Sequence, residues 1–238
     1  MKKILLFALM MSVMSLWAQT AEQIVQNYIQ KIGGEKLDKA HSILQKGTMN
    51  MNGIDFPTES YQDTSGKIYS KLNMMGQDIV AIAFDGKKGY KFNRGTFGYD
   101  DIPDSLATQI KEKARNMFGY FYKYKEHGRH LKYLGSQKFD SIQTESLQMF
   151  FDKPIEGGIK DFIAFFNSET GLLMGIKVVK DGHIIITRPS EYKEFDGVFI
   201  PTKITNEMDG NIVQTIKIDT VQINPPAPDP VIFEKPKQ

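Results

Sequence analysis

Glu126-His127-Gly128-Arg129-His130 sets two histidines three positions apart beside a carboxylate, residue types that can hold a divalent metal. The helical orders in which such residues work, His-Glu-x-x-His and His-x-x-Glu-His, are both missing. His41 and His183 lie far off in sequence, so exposed loop histidines are the better reading and no metal site is expected. Asp100, Asp101 and Asp104 gather at a helix start, where free backbone amides favour acids without any catalytic role. Gly86-Lys87-Lys88-Gly89 is a turn with two lysines and no helix behind it, unlike a phosphate-cradling loop. Gly-x-Ser-x-Gly, Walker and Gly-x-Gly-x-x-Gly patterns do not occur. Cysteine is absent, which excludes disulfides, thiolate metal sites, a cysteine nucleophile and the acylated cysteine of bacterial lipoproteins. These residues support neither an enzyme nor a cofactor.

The elements offer more than the chemistry does. From Gly47 to Asn93, Asn52-Gly53, Ser65-Gly66, Met75-Gly76 and Asp85-Gly86 recur 10 to 13 residues apart, with β-branched, aromatic and Met-rich runs between them. That spacing predicts an antiparallel meander. Strand alternation puts Ile68, Ser70, Leu72 and Met74 on one face and Val80, Ile82 and Phe84 on another, with Ile79, Ala81 and Ala83 apolar opposite them. A sheet apolar on both faces leaves neither in water: one face meets a packed element and the other is free to line a cavity for something apolar. Met49, Met51, Met74 and Met75 either fill core or line such a pocket with adaptable thioethers.

Ahead of the meander, Met1–Ala18 has two lysines followed by an apolar run too short for the roughly 20 residues of a membrane span, the pattern of a secretory signal cleaved after Ala18. Without Lys2 and Lys3 the chain has 28 basic and 28 acidic residues. A neutral chain without a dense basic stripe is not expected to bind nucleic acid. Residues 19–238 are expected to form one domain. Thr20 and Gln23 form a capping-box pattern for a helix bearing Ile24, Val25, Tyr28, Ile29 and Ile32, stopped by Gly33-Gly34.

After the meander, residues 97–104 are expected to form a loop. Leu106, Ile110, Ala114, Met117, Phe118 and Phe121 then recur at helical spacing, predicting a helix over Asp104–Met117. The aromatic stretch at 118–124 either extends that helix or forms a connecting loop. Strand rhythm returns at 131–139, 147–151, 161–167, 172–180, 184–195, 199–208 and 213–221. Asp181-Gly182, Asp196-Gly197 and Asp209-Gly210 mark two-residue hairpins. The tail after Asn224 is proline-rich, and its Ile232 and Phe233 are expected to fold back onto the sheet.

The helix ending in IGG, the strand KGTMNM, FDGKKGY, FFNSETGLLMGIKV, YKEFDGVFIPTKI and the tail IKIDTVQINPPAPDPVIFEKP, in that order, resemble the outer-membrane lipoprotein-sorting (LolA-like) family. The resemblance is to the Bacteroidetes-type version, which also occurs as a domain beside some zinc peptidases. It implies a mainly β, α+β fold: a curved, unclosed antiparallel barrel of about 10–11 strands, with the N-terminal helix and a second helix covering the concave face. It further implies a periplasmic carrier or chaperone whose hydrophobic cavity binds acyl chains of lipoproteins or lipids, with no metal or cofactor. Leu72, Met74, Val80, Ile82 and Phe84 are the candidate lining residues, capped by Met117, Phe118 and Phe121. Envelope donor and acceptor proteins are the partners such a carrier implies. The family's cavity arginine is not assigned, since Arg94, Arg115, Arg129 and Arg188 match no motif. The competing reading is a non-catalytic interaction module of the cell envelope built on the same half-barrel.

Overall fold

The computed structural model describes residues 20–236, so the expected signal segment Met1–Ala18 lies outside the described residues. Helix α1 (Ala21–Ile32) starts where Thr20 Oγ1 accepts from the Gln23 amide at 3.2 Å and the Gln23 side chain accepts from the Thr20 amide at 3.0 Å. This reciprocal cap satisfies two amides that the first turn leaves unpaired. Gly33, at φ 148°, ends the helix, and a short α2 (Lys36–Lys39) leads into the sheet.

Thirteen strands follow: β1 (Ser42–Met51), β2 (Ile54–Asp63), β3 (Ile68–Met74), β4 (Gln77–Phe84), β5 (Gly89–Asn93), β6 (Gly98–Asp101), β7 (Arg129–Phe139), β8 (Ile142–Ile155), β9 (Ile159–Asn167), β10 (Leu173–Lys180), β11 (His183–Phe195), β12 (Val198–Met208) and β13 (Asn211–Ile223). Helix α3 (Asp104–Arg115) separates β6 from β7. All strands belong to one antiparallel sheet in the order β6-β5-β4-β3-β2-β1-β13-β12-β11-β10-β9-β8-β7. Its ends, β6 and β7, do not pair, so the barrel is not closed. Every pair of neighbouring strands is joined by a hairpin except β1 and β13, the first and last strands, whose antiparallel ladder unites the two halves of the sheet; the one long connection, from β6 to β7, runs through α3. Both central residues of the Asn52-Gly53, Met75-Gly76, Asp181-Gly182, Asp196-Gly197 and Asp209-Gly210 turns have positive φ, the geometry that matches strand twist.

The register defines two faces. Ile43, Gln62, Ile68 and Phe84 are laterally paired across β1 to β4 and so share a face. Helix α1 covers this inner face at Ile43 and, farther along, at Leu147, Met149, Phe162, Phe166 and Ile200. Helix α3 covers it at Ile68 and Phe84 through Ile110 and Leu106. On the outer face Tyr61, Tyr69, Ala83 and Tyr90 are covered by the tail, where a turn at Pro230–Phe233 brings Ile232 and Phe233 down. Tyr90 Oη donates to the Ile232 carbonyl at 2.7 Å, so the buried phenol has a partner.

Three expectations need correction. The segment 97–104 is not all loop: Gly98–Asp101 pairs with β5 as an edge strand, with Tyr99 packed on the outer cluster. This strand helps bring the total to thirteen, above the expected 10–11. Helix α3 stops at Arg115, two residues early, because Asn116 caps it with φ −92° and ψ 35° and donates its side-chain amide to the Glu112 carbonyl at 2.6 Å. Finally, Val80 does not share a face with Ile82 and Phe84. The register shifts by one residue between Ser70–Ile82 and Lys71–Val80, a bulge at Ala81 that turns Val80 to the outer face and Ile79 to the inner one.

Candidate functional site

The eight residues singled out by the sequence fall in several places. Ile82 and Phe84 join Ile68, Ile102 and Ile110 beneath α3, and Phe84 is fully buried there. Val80 packs in the outer cluster under the tail. Met117, Phe118 and Phe121 belong to the cluster beneath α1, where Phe121 meets Tyr28 edge-on at 6.0 Å and Phe166 at 5.0 Å between ring centres. The aromatic stretch at 118–124 is therefore a folded connection packed under α1, not an extension of α3. Leu72 and Met74 lie on the inner face, half-buried and outside all three clusters.

Leu72 and Met74 have company, of which the sequence reading offers only Met49 as a pocket residue. Leu72 pairs with Ile79 on β4 and with Thr58 on β2. Two residues along from Thr58, Phe56 pairs with Met49, which pairs with Ile216 on β13, itself opposite Ile204 on β12. Met49, Phe56, Leu72, Ile79, Ile204 and Ile216 thus form a band across six neighbouring strands on the face that both helices share. All six are half-buried, and none is in the three packed clusters. A band of this kind is an apolar trough between the helix-covered regions, with no charged side chain among its six members. The missed signal was register: the bulge at Ala81 and a second one at β1–β13, between Lys46 and Gly47, decide which residues face in.

At the α1 end of the inner face, Arg129 is only 4% exposed. Its guanidinium donates to the Tyr120 carbonyl and to Asn116 Oδ1, and lies over the Tyr120 ring at 5.2 Å. Burial lowers its pKa from the ordinary arginine value. Arg129 therefore ties the end of α3 and the aromatic connection to β7. Nearby, Tyr28 of α1 is enclosed and its phenol is pushed up to about 12 by burial, against a hydrogen bond with Tyr192. Both features make the α1 end a fixed part of the molecule.

A second concavity carries charged side chains. A cavity of about 980 Å³ lies between the 63–67 and 85–88 turns and the tail, lined by Tyr61, Tyr90 and Phe233 but also by Lys67, Lys87, Lys88, Asp85, Asp101 and Lys235. Its charged lining suits an acyl chain poorly. His130 pairs with Asp152 at 2.8 Å and His183 with Asp209 at 2.6 Å, both exposed. Among the described residues no three His, Asp or Glu side chains are gathered as metal ligands. No helix among them is long and apolar enough to cross a membrane.

An unclosed antiparallel half-barrel with two helices on its inner face is an architecture that several solved structures share. The chain has the LolA-like fold. It superposes on a DUF1329 family protein from Desulfovibrio piger with a TM-score of 0.59 and 12% identity, covering 91% of this chain and 98% of that one. A LolA superfamily protein from Nitrosomonas europaea matches with a TM-score of 0.57 and 12% identity over 92% and 99%. A domain described as an outer membrane lipoprotein-sorting protein domain, from Vibrio parahaemolyticus, matches with a TM-score of 0.53 and 8% identity over 88% and 94%. No family model and no curated protein matches the sequence itself.

Proposed function

We propose that this protein is a periplasmic carrier that shields acyl chains of lipids or lipoproteins in the inner-face trough. The observation that carries the reading is the half-buried band Met49, Phe56, Leu72, Ile79, Ile204 and Ile216, apolar yet left uncovered between two helix-covered clusters. The LolA-like fold supports it. In this reading Leu72 and Met74 line the trough, while Ile82, Phe84, Met117, Phe118 and Phe121 belong to the packed regions that flank it. Residues 19–238 act as one domain after export and removal of Met1–Ala18.

Each methylene taken from water contributes about 0.8 kcal/mol, so a 16-carbon chain gains roughly 12 kcal/mol before ordering costs, ample for micromolar binding. A carboxylate placed in the trough opposes that gain. Delipidated protein titrated with a fluorescent fatty acid should take it up saturably. Leu72→Asp and Ile79→Asp, each shown to be folded by circular dichroism, should weaken uptake about tenfold or more, whereas the outward Val80→Thr should not. No saturable uptake by the wild type would defeat the carrier reading and leave the interaction module. Unchanged uptake by both aspartate variants would move the site off the trough.

A further inference from the structure

The six hairpins β5–β6, β3–β4, β1–β2, β12–β13, β10–β11 and β8–β9 all turn at the same end of the sheet, because neighbouring strands run antiparallel. Twelve large apolar residues are exposed among the described residues, and eight of them stand at this end: Ile54, Met75, Phe97, Val179, Ile184, Met208, Ile212 and Val213. The turns at the other end, 64–67, 85–88, 140–141, 168–171 and 196–197, hold no large apolar residue, and of the twelve only Ile142 and Phe199 stand beside them. One rim is therefore much greasier than the other.

Two of these side chains run against local preference. Met75 and Phe97 have φ of 54° and 52°, a left-handed conformation that Asn or Gly adopts far more readily, and they are 103% and 79% exposed. Their turns do not need them. Asn73 Oδ1 accepts from the Gly76 amide at 3.0 Å while its Nδ2 donates to Asp78 at 2.8 Å. Asn93 likewise holds the Gly95 amide and Asp100, at 2.9 and 2.8 Å, and Asn50 holds Gly53 and Asp55. Large side chains kept in water on turns that are closed from within point to a surface that they enter.

We infer that this rim docks on a lipid bilayer, with Met75, Phe97, Ile54 and Ile212 inserting between the headgroups. These four come from four separate hairpins, three of them carrying a polar Asn–Asp pair, and such spaced protrusions suit a fluid surface that closes around each one, whereas a protein partner calls for a continuous complementary patch. Arg94, Lys160, Lys177 and Lys180 stand near this rim with no ion-pair partner among the described residues, available to lipid phosphates. Asp55, Asp78, Asp100 and Asp209 are tied to Asn50, Asn73, Asn93 and His183, and Asp161 and Asp181 stand beside the lysines, so the rim carries both signs and its apolar side chains select the occupant. The inference goes beyond the carrier reading and stands on the composition of the rim.

The test is flotation of the exported protein with large unilamellar vesicles, one set of phosphatidylethanolamine and phosphatidylcholine and one with added phosphatidylglycerol. Wild type should float with both. A Met75→Asn, Phe97→Asn double variant should lose about tenfold or more in partition, while its melting temperature stays level or rises because Asn suits both turn positions. Failure of the wild type to float with either set would overturn the inference and leave the rim to a protein partner. Equal flotation of the double variant would overturn it too. Fatty acid uptake in vesicle-free solution keeps the two readings apart, since the double variant leaves the trough residues untouched.

Discussion

A guanidinium enclosed as Arg129 is, at 4% exposure, must replace its water with hydrogen bonds, and the Tyr120 carbonyl and Asn116 Oδ1 supply them. Hydrogen bonds to a charged group contribute about 1.5–3 kcal/mol each, and Arg129→Met leaves two acceptors unanswered as well. The expected loss is about 3 kcal/mol in urea unfolding, and Arg129→Lys should recover little of it because an ammonium cannot span both acceptors in a planar fork. A loss below about 1 kcal/mol would mean that the connection between α3 and β7 is held by its aromatics instead. Glu59 makes a pH prediction on the outer face. Burial disfavours its charge, yet hydrogen bonds from Lys71, Lys46 and Tyr69 outweigh that and hold its pKa at about 2, against an ordinary 4.5. A carboxylate depressed in the folded state stabilises it above the unfolded pKa, and that contribution fades as pH falls from about 4.5 to about 2. Melting temperatures over this window should drop less steeply for Glu59→Gln than for wild type; identical slopes would refute the assignment.

At the scale of elements, the two helices are held very differently. Helix α1 buries Ile24, Val25, Tyr28 and Ile32 against strands from both halves of the sheet, whereas α3 rests on Ile68 and Phe84 chiefly through Leu106, Ala107 and Ile110. Fewer apolar contacts mean a lower free energy of local opening. Amides of α3 should therefore exchange with deuterium faster than those of α1 and of β4 from Ile79 to Phe84, and should slow when a fatty acid is bound. Ligand-independent protection equal to that of α1 would make α3 a fixed wall. The strands illustrate a different dependence. Gly47 sits where β1 meets the β13 bulge, and a Cβ there would overlap the Lys217 carbonyl oxygen, so the bulge and the glycine require each other. Nothing in the string Lys46-Gly47-Thr48 announces that contact, since its partner is 170 residues away.

For the molecule as a whole, local chemistry determined a great deal. The Thr20–Gln23 cap, the Asx-Gly turns and the alternation of the late strands depend on neighbours within a few residues, so α1 and most of the hairpins were legible from residue order alone. The family resemblance anticipated the unclosed barrel with helices on one face. Three things were decided only by tertiary structure. The bulge at Ala81 arises from pairing with β3, and it exchanged Val80 for Ile79 on the inner face, because a side-chain period of two turns a one-residue slip into a change of side. Arg129 became buried because Asn116 and Tyr120 converge on it, although no motif marks those residues as partners. The trough and the apolar rim gather residues from β1 to β4 with others from β10 to β13, and only the β1–β13 ladder brings those strands side by side.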